Sequence, residues 1–249
     1  MIKLTTHNQA DRMIALIAFD RAGKRNALTP EMLTELIDLA PKAAADHDAI
    51  VLTGEGKVFC SGFDLALCQT TPDGDIMRKL LTGLSTACQT LKAIDKPVVI
   101  AAHGAAIAGG CAILGGADVV VTDTHAKLGY PVTKIGVSPA VSAPFFGASV
   151  PKGVCREKLL LPMLFFGAHA HKIGLAHLLT DEPEQVLDLA LETAANLASK
   201  PPHAYAATKR LVAKLEDPNQ SETARKGLTA SLQLTGKPEE QRMLGALTF

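Results

Sequence analysis

Apolar residues along the first half of the chain occur in short continuous runs separated by longer polar stretches. A run of this length between polar or glycine-rich segments is typical of a buried strand. Four such runs predict strands at 13–19, 49–53, 97–102 and 118–121. Because buried strands with no polar alternation are typical of parallel sheets, the pattern favours a sheet covered on both faces.

The stretches between these strands carry apolar residues at every third or fourth position, which predicts amphipathic helices. One helix begins at Thr29-Pro30-Glu31, where a capping residue, a proline and an acid follow one another. Pro41 is expected to end or bend it. A second helix spans 75–94. Strands that alternate with helices indicate an α/β fold with parallel pairing.

From about Glu184 the pattern becomes helical almost to the end of the chain. Two proline-containing segments, Lys200-Pro201-Pro202 and Asp217-Pro218-Asn219, predict breaks between helices. The 249 residues suit one large domain or a domain with a small appendage.

Two glycine-containing turns follow predicted strands, one at Phe59 to Leu65 and the other at His103 to Cys111. Glycine lets the backbone bend sharply and lets a ligand approach main-chain N–H groups. A short helix is predicted from Gly109 to Gly116, and a helix N-terminus presents free N–H groups. If the two turns face each other, they can aim two N–H donors at one carbonyl oxygen and form an oxyanion hole.

The side chains of the first turn and of an earlier polar loop leave several interpretations open. Ser61 is a candidate nucleophile, although the turn lacks the Gly-x-Ser-x-Gly pattern of a nucleophile elbow. Asp64 is a candidate general base, but capping of the segment that starts at Leu65 is the favoured role. Lys24 and Arg25 either face solvent or bind phosphate.

Charge and cysteine usage exclude other classes of protein. The 25 basic and 25 acidic residues balance, and no long basic run occurs, which argues against nucleic acid as a partner. The five cysteines include no Cys-x-x-Cys pair, so free buried thiols are expected rather than disulfides or a metal site.

The N-terminus lacks a signal-peptide pattern, and no apolar run is long enough to span a bilayer. We expect a cytoplasmic protein without a membrane partner.

Several ordered motifs resemble those of the crotonase, or enoyl-CoA hydratase/isomerase, superfamily. The resemblance runs from about residue 12 to about residue 215. Each motif alone is weak, but the ordered set is specific. The matching segments are 24–32, 54–65, 96–101, 108–111, 117–118, 128–131, 134–137, 200–202 and 207–211.

The resemblance implies a crotonase-like spiral of ββα units in residues 1–190 and a C-terminal helical region in 191–249 that forms homotrimers or hexamers. The apolar face expected to do so carries Ala190, Leu191, Ala194, Leu197 and Ala198. The implied substrate is an acyl-CoA thioester of fatty-acid metabolism, with no further cofactor and no metal.

The resemblance also implies the residues of the site. The oxyanion donors correspond to the backbone N–H groups of Ser61 and Gly109. The substrate-binding positions are Lys24, Arg25, Ala27, Gly62, Phe63, Asp64, Leu65, Ala108, Gly110, Tyr130 and Pro131.

Two departures from the family pattern concern proton transfer. Hydratases of the family use two glutamates, and here Ala112 and Val132 stand at those positions. Neither side chain can exchange a proton, so ordinary hydration is not expected. The polar residues that could replace the glutamates are Tyr130, Thr133, Ser138, Ser142, Cys111 and Asp64.

Three functions therefore stay open. The first is a lyase or isomerase of variant chemistry that stabilises an acyl-CoA enolate. The second is an acyl-CoA-binding homologue without catalysis. The third is a serine hydrolase with Ser61 as nucleophile, which requires a histidine near Ser61.

Overall fold

The computed structural model describes residues 1–71 and 73–248, which form two β-sheets and the helices around them. The strands are β1 (Ile2–Gln9), β2 (Arg12–Phe19), β3 (Ala49–Gly54), β4 (Val98–Ala102), β5 (Ala105–Ile107), β6 (Val119–Asp123), β7 (Lys127–Gly129), β8 (Leu164–Phe166) and β9 (Leu178–Thr180). The helices are α1 (Pro30–Asp46), α2 (Leu65–Gln69), α3 (Asp75–Ala93), α4 (Gly109–Ile113), α5 (Ala143–Ser149), α6 (Lys152–Leu160), α7 (Gly167–Lys172), α8 (Val186–Ala198), α9 (Pro202–Glu216), α10 (Gln220–Leu232) and α11 (Pro238–Gly245).

The larger sheet has the strand order β1-β2-β3-β4-β6-β9. Only β1 and β2 pair antiparallel; the other neighbours are parallel, as the sequence predicted. Every residue of β3 and β4 is buried. Alternate residues of these strands face opposite sides, so that Leu52 and Ile100 belong to one apolar cluster and Val51 and Val99 to another.

The smaller sheet, of order β5-β7-β8, repeats the path of the larger one. Strand β4 of the larger sheet continues into β5 of the smaller, and β6 continues into β7. After β3, Cys60 forms an isolated parallel bridge with Ala106 of β5. Three successive units therefore send the chain from one sheet to the other, which is the repeating arrangement that the family resemblance implied. The turns between the sheets bring the two glycine segments together.

Helix α1 begins where the sequence predicted, since the Thr29 hydroxyl accepts a hydrogen bond from the N–H of Met32 at 3.3 Å. Pro41 was predicted to end or bend this helix; it does not end it, because α1 continues to Asp46. Pro41 is exposed. A proline on the solvent side leaves one helix carbonyl without its N–H donor, and water can take that donor's place.

Helix α8 corrects the prediction about oligomerisation. Its apolar face packs on the larger sheet of its own chain, where Ala190 and Ala194 are fully buried and Leu191 is 4% exposed. The face is therefore covered within one subunit, because a parallel sheet needs helices on both sides. The boundary predicted after residue 190 also falls inside this helix.

All five cysteines are free thiols, and all but the half-buried Cys155 are buried. Burial raises the pKa of the Cys60, Cys88 and Cys111 thiols to about 12, so these groups stay protonated at neutral pH. Among residues 1–71 and 73–248, no helix is long and apolar enough to cross a membrane.

Candidate functional site

A cavity of about 370 Å³ lies where the two glycine turns meet helix α3 and the segment that follows β7. Its wall is largely apolar. The lining residues are Ser61, Phe63, Leu65, Met77, Leu81, Leu84, Ile107, Ala108, Gly109, Tyr130, Pro131, Val132, Lys134, Ile135, Val137, Ser138, Pro139, Val141, Ser142 and Leu247. Such a cavity suits an apolar ligand that is held by a few polar groups.

Two glycines allow the turns to approach each other closely. Gly62 has a φ of +98°, and a Cβ there would lie 3.0 Å from the carbonyl oxygen of Ile107. A Cβ on Gly109 would lie 2.9 Å from Cε1 of Phe63. A larger residue at either position would push the turns apart, so the two turns lie directly against each other.

Ala108 holds the second turn in a strained conformation. Its φ of +51° is uncommon for a residue with a side chain. The N–H of Ala108 donates to the carbonyl of Gly129 at 2.8 Å, and its own carbonyl accepts from Ala112 at 2.9 Å. These bonds fix the peptide that leads into Gly109, the first residue of α4. Strain of this kind is typical of ligand-binding sites.

The backbone hydrogen bonds of the first turn show that one of the two predicted oxyanion donors is wrong. The N–H of Ser61 donates to the carbonyl of Arg25 at 3.0 Å, so it is already engaged within the protein. By contrast, the N–H groups of Phe63 and Gly109 have no acceptor among the described residues. Both residues line the cavity. The geometry therefore replaces Ser61 with Phe63 as the available donor beside Gly109.

Asp64 has a different role from the predicted one. It precedes α2, but its side chain makes no capping hydrogen bond. Its carboxylate instead forms an ion pair with Arg21 at 2.7 Å, in which both side chains are largely buried. Arg21 also donates to the carbonyl of Ala27 at 3.0 Å. The prediction that Asp64 caps α2 is therefore wrong; it ties the polar loop at 20–28 to the first turn.

Asn26 fixes the same loop from the other side. Its side-chain amide donates to the carbonyls of Glu55 and Val58, both at 2.9 Å. Lys24 and Arg25 stand on this anchored loop with exposed side chains and no ion pair among the described residues. Neither they nor the buried Ala27 line the cavity.

The two positions of the family glutamates differ in their surroundings. Val132 lines the cavity and is only partly buried. Ala112 is 1% exposed and does not line it. Gly62, Asp64 and Gly110 also stand behind the cavity wall rather than in it.

The candidate replacements for these glutamates are weak acids and bases. Tyr130 is 1% exposed and packs edge-on against Phe146 at 5.2 Å between ring centres. Its hydroxyl has no hydrogen-bond partner in the part of the chain that the structure describes. Burial raises the pKa of Tyr130 well above its ordinary value, and the neighbouring Cys111 thiol adds to this effect. Thr133 is exposed and does not line the cavity.

Two serines remain as polar groups on the far wall. The Ser138 hydroxyl accepts a hydrogen bond from the N–H of Ala140 at 3.2 Å. Ser142 is 3% exposed, and its hydroxyl has no partner among the described residues. Among residues 1–71 and 73–248, no histidine lines the cavity. The cavity therefore lacks the histidine base that a Ser61 nucleophile requires.

Sequence analysis missed part of the wall. Met77, Leu81 and Leu84 belong to the helix predicted at 75–94, and they line the cavity as well as packing in the core. Their helical spacing carries no sign of this second role. Leu247 comes from the C-terminal end, and nothing in the sequence places it near the glycine turns.

The chain matches the family model described as enoyl-CoA hydratase/isomerase over residues 9–245. A probable enoyl-CoA hydratase from Mycobacterium tuberculosis is 30% identical over 227 residues, which cover 90% of this chain and 87% of that protein. A second enoyl-CoA hydratase from the same organism is 32% identical over 207 residues, which cover 81% of this chain and 77% of that protein.

Solved structures agree with the sequence relatives. An enoyl-CoA hydratase/isomerase from Xanthobacter autotrophicus has a TM-score of 0.86 at 25% identity, covering 98% of this chain and 91% of its own. Another, from Mycobacterium paratuberculosis, shares the fold with a TM-score of 0.86 at 21% identity, over 99% and 98% of the two chains. The chain belongs to the enoyl-CoA hydratase/isomerase family and has the crotonase fold.

Proposed function

We propose that the protein binds an acyl-CoA thioester and polarises its carbonyl group through the backbone N–H groups of Phe63 and Gly109. The observation that carries this proposal is the pair of donors without acceptors on the wall of an apolar cavity. A buried N–H group without a partner is costly. A thioester oxygen placed between the two would satisfy both.

The surroundings of these donors strengthen their effect. Phe63, Leu65 and Ile107 line the same cavity, so the two donors lie among apolar side chains. A hydrogen bond to a developing negative charge stabilises it more in apolar surroundings than in water. The site thus suits reactions that pass through an enolate of the acyl group, with variant proton transfer because Ala112 and Val132 carry no acid.

The polar part of coenzyme A would lie outside the cavity. Lys24 and Arg25 have exposed, unpaired side chains on a loop anchored by Arg21 and Asn26. Cations on a fixed loop are suited to bind phosphate groups. This placement leaves the cavity for the acyl chain.

An alternative is an acyl-CoA-binding homologue without catalysis. The absence of a carboxylate at positions 112 and 132 favours it, whereas the strained peptide at Ala108 favours catalysis, because strain at that place serves to orient a donor. Binding and turnover of the same acyl-CoA distinguish the two functions.

Binding of acetoacetyl-CoA, which resembles an enolate, is expected to raise the melting temperature. At a ligand concentration of 100 times Kd the folded state gains about 2.7 kcal/mol, a rise of roughly 5–10 °C for a chain of this size. The measurement is differential scanning fluorimetry with free coenzyme A as control. The double variant Lys24→Ala/Arg25→Ala should need a higher concentration for the same rise. No shift at millimolar ligand would refute the proposed function.

We also propose that the protein assembles as a homotrimer or hexamer, through faces other than α8. Exposed apolar side chains cluster at the end of α6 and in β8, including Leu160, Met163 and Phe166, and on α9 at Leu211 and Leu215. Exposed apolar clusters mark interaction surfaces. Light scattering should give the mass of three or six chains, and Leu215→Lys should lower it; a monomer at micromolar concentration would contradict the proposal.

A further inference from the structure

A second cavity, of about 420 Å³, adjoins the first. Met77 and Leu247 line both, so these two side chains lie between the two spaces. The second cavity lies between α2, α3 and the C-terminal helix α11. Polar groups make up more of its lining than they do in the first cavity, among them Gln69, Thr71 and Glu240.

Glu240 is an unusual residue for such a position. It lies in the first turn of α11 and is 3% exposed. One carboxylate oxygen accepts a hydrogen bond from the N–H of Gly236. The other oxygen has no hydrogen-bond partner, and no cation within residues 1–71 and 73–248 forms an ion pair with it. Burial raises the pKa of Glu240, with a smaller opposite effect from Arg78.

This free oxygen is not fully enclosed by the protein, so it is accessible from the cavity and can accept a hydrogen bond from a group placed there. Gln69 has a similar arrangement. Its amide nitrogen donates to the carbonyls of Leu244 and Leu247 at 2.7 and 3.0 Å, while its oxygen has no donor. The cavity therefore presents hydrogen-bond acceptors that lack a donor.

The position of this cavity relates it to the acyl site. Helix α11 packs against the segment that follows Val132, and a Cβ on Gly136 would lie 3.0 Å from the Cα of Glu240. An acyl chain that starts at Phe63 and Gly109 and runs along α3 reaches Met77, and beyond Met77 the polar cavity begins. The acceptors would stand near the far end of such a chain once it had passed Met77.

We infer that the second cavity receives the far end of the acyl chain and that Glu240 selects chains carrying a hydroxyl group there. This inference rests on the proposed acyl-CoA function. A hydroxyl group donates to the free oxygen of Glu240 and brings no charge into the cavity. A terminal carboxylate would be repelled by Glu240, and a terminal ammonium would lose its hydration on burial.

The test compares acyl-CoAs of increasing length, each unsubstituted or with a terminal hydroxyl, carboxyl or amino group, by titration calorimetry. At the length that reaches Glu240, the hydroxylated chain is expected to bind about tenfold more tightly than the unsubstituted one, since a hydrogen bond to a charged group has this magnitude. The carboxylated chain should bind more weakly than either.

Substitutions of two neighbouring glutamates in the first turn of α11 test the role of Glu240 and provide the control. Glu240→Leu should abolish the preference, and Glu240→Gln should keep a reduced preference because its amide oxygen still accepts. The neighbouring Glu239 is exposed, so Glu239→Leu should leave the preference unchanged. A melting temperature for each variant shows whether it is folded.

Three results would overturn the inference: equal affinity for hydroxylated and unsubstituted chains at every length, a preference that survives Glu240→Leu, or tighter binding of the amino-terminated chain. In each case the unsubstituted acyl-CoAs still bind and the proposed function stands. Failure of every acyl-CoA to bind would remove the proposed function and this inference together.

Discussion

The native protein is expected to hydrate crotonyl-CoA about 10²–10⁴-fold more slowly than a family hydratase that carries both glutamates. Proton transfer by a positioned side chain contributes a factor of this size. At the two corresponding positions this chain has Ala112 and Val132, and the nearby Tyr130 and Cys111 have pKa values raised by burial. A spectrophotometric assay of crotonyl-CoA, run beside such a hydratase, measures the difference.

The structure indicates which substitution should restore activity. Val132 lines the cavity, so Val132→Glu places a carboxylate beside the acyl group. Ala112 is 1% exposed and packs against α3, where the Cys88 thiol donates to its carbonyl at 3.4 Å. Ala112→Glu would therefore bury a charge behind the wall and destabilise the fold. We expect Val132→Glu alone to raise turnover by at least tenfold.

Val132→Gln is the matched control, because it has the same length and a polar end but cannot act as a base at neutral pH. It should show the native rate. Burial raises the pKa of an introduced carboxyl, so the activity of Val132→Glu should increase with pH. Fast hydration by the native protein would contradict the prediction and would direct attention to Ser142, which lines the cavity and whose hydroxyl has no partner among the described residues.

The fold was predictable to the extent that its signals are local. The fully buried strands β3 and β4 have continuous apolar runs, and α1 and α3 have helical spacing and recognisable ends. The strands of the smaller sheet contain three residues each, which is too short for any periodicity. Most residues of β1 are exposed, because it is an edge strand, and its sequence is accordingly polar.

The site was predictable in outline but not in its hydrogen bonds. The glycine turns indicated an oxyanion hole, yet the choice of donor depends on the carbonyl of Arg25, which occupies the N–H of Ser61. That contact joins segments far apart in sequence. The same holds for Leu247 and Glu240, which lie at the cavities through tertiary contacts that include the bonds from Gln69 to the carbonyls of Leu244 and Leu247. Tertiary contacts of this kind leave no local pattern.

Loss of the carboxylate at Asp118 is expected to produce the largest change in stability. One of its oxygens, Oδ2, accepts from the N–H of Val98 at 2.8 Å, the hydroxyl of Tyr205 at 3.1 Å and the ammonium of Lys209 at 2.8 Å. Tyr205 and Lys209 belong to α9, and Val98 begins β4. A single, largely buried carboxylate thus attaches α9 to the sheet.

The charge of Lys209 makes the substitution costly. Burial lowers the pKa of Lys209, and Asp118 acts against this by favouring the ammonium. Asp118→Asn leaves a buried cation whose remaining partner is the carbonyl of Lys96 at 3.2 Å. Removing one member of a buried ion pair costs about 3–5 kcal/mol, a large part of the ~5–15 kcal/mol by which proteins of this kind are stable. Urea denaturation measures the loss.

The next residue of α9 supplies the control. Arg210 pairs with Asp95, but the two side chains are 63% and 51% exposed. Water and salt screen such a pair, so Asp95→Asn should leave the unfolding midpoint almost unchanged. The double variant Asp118→Asn/Lys209→Met should recover most of the loss, since it removes the unpaired cation rather than leaving it buried. If Asp118→Asn and Asp95→Asn behaved alike, burial would not distinguish the two pairs, and the attachment of α9 would have to depend on its apolar contacts instead.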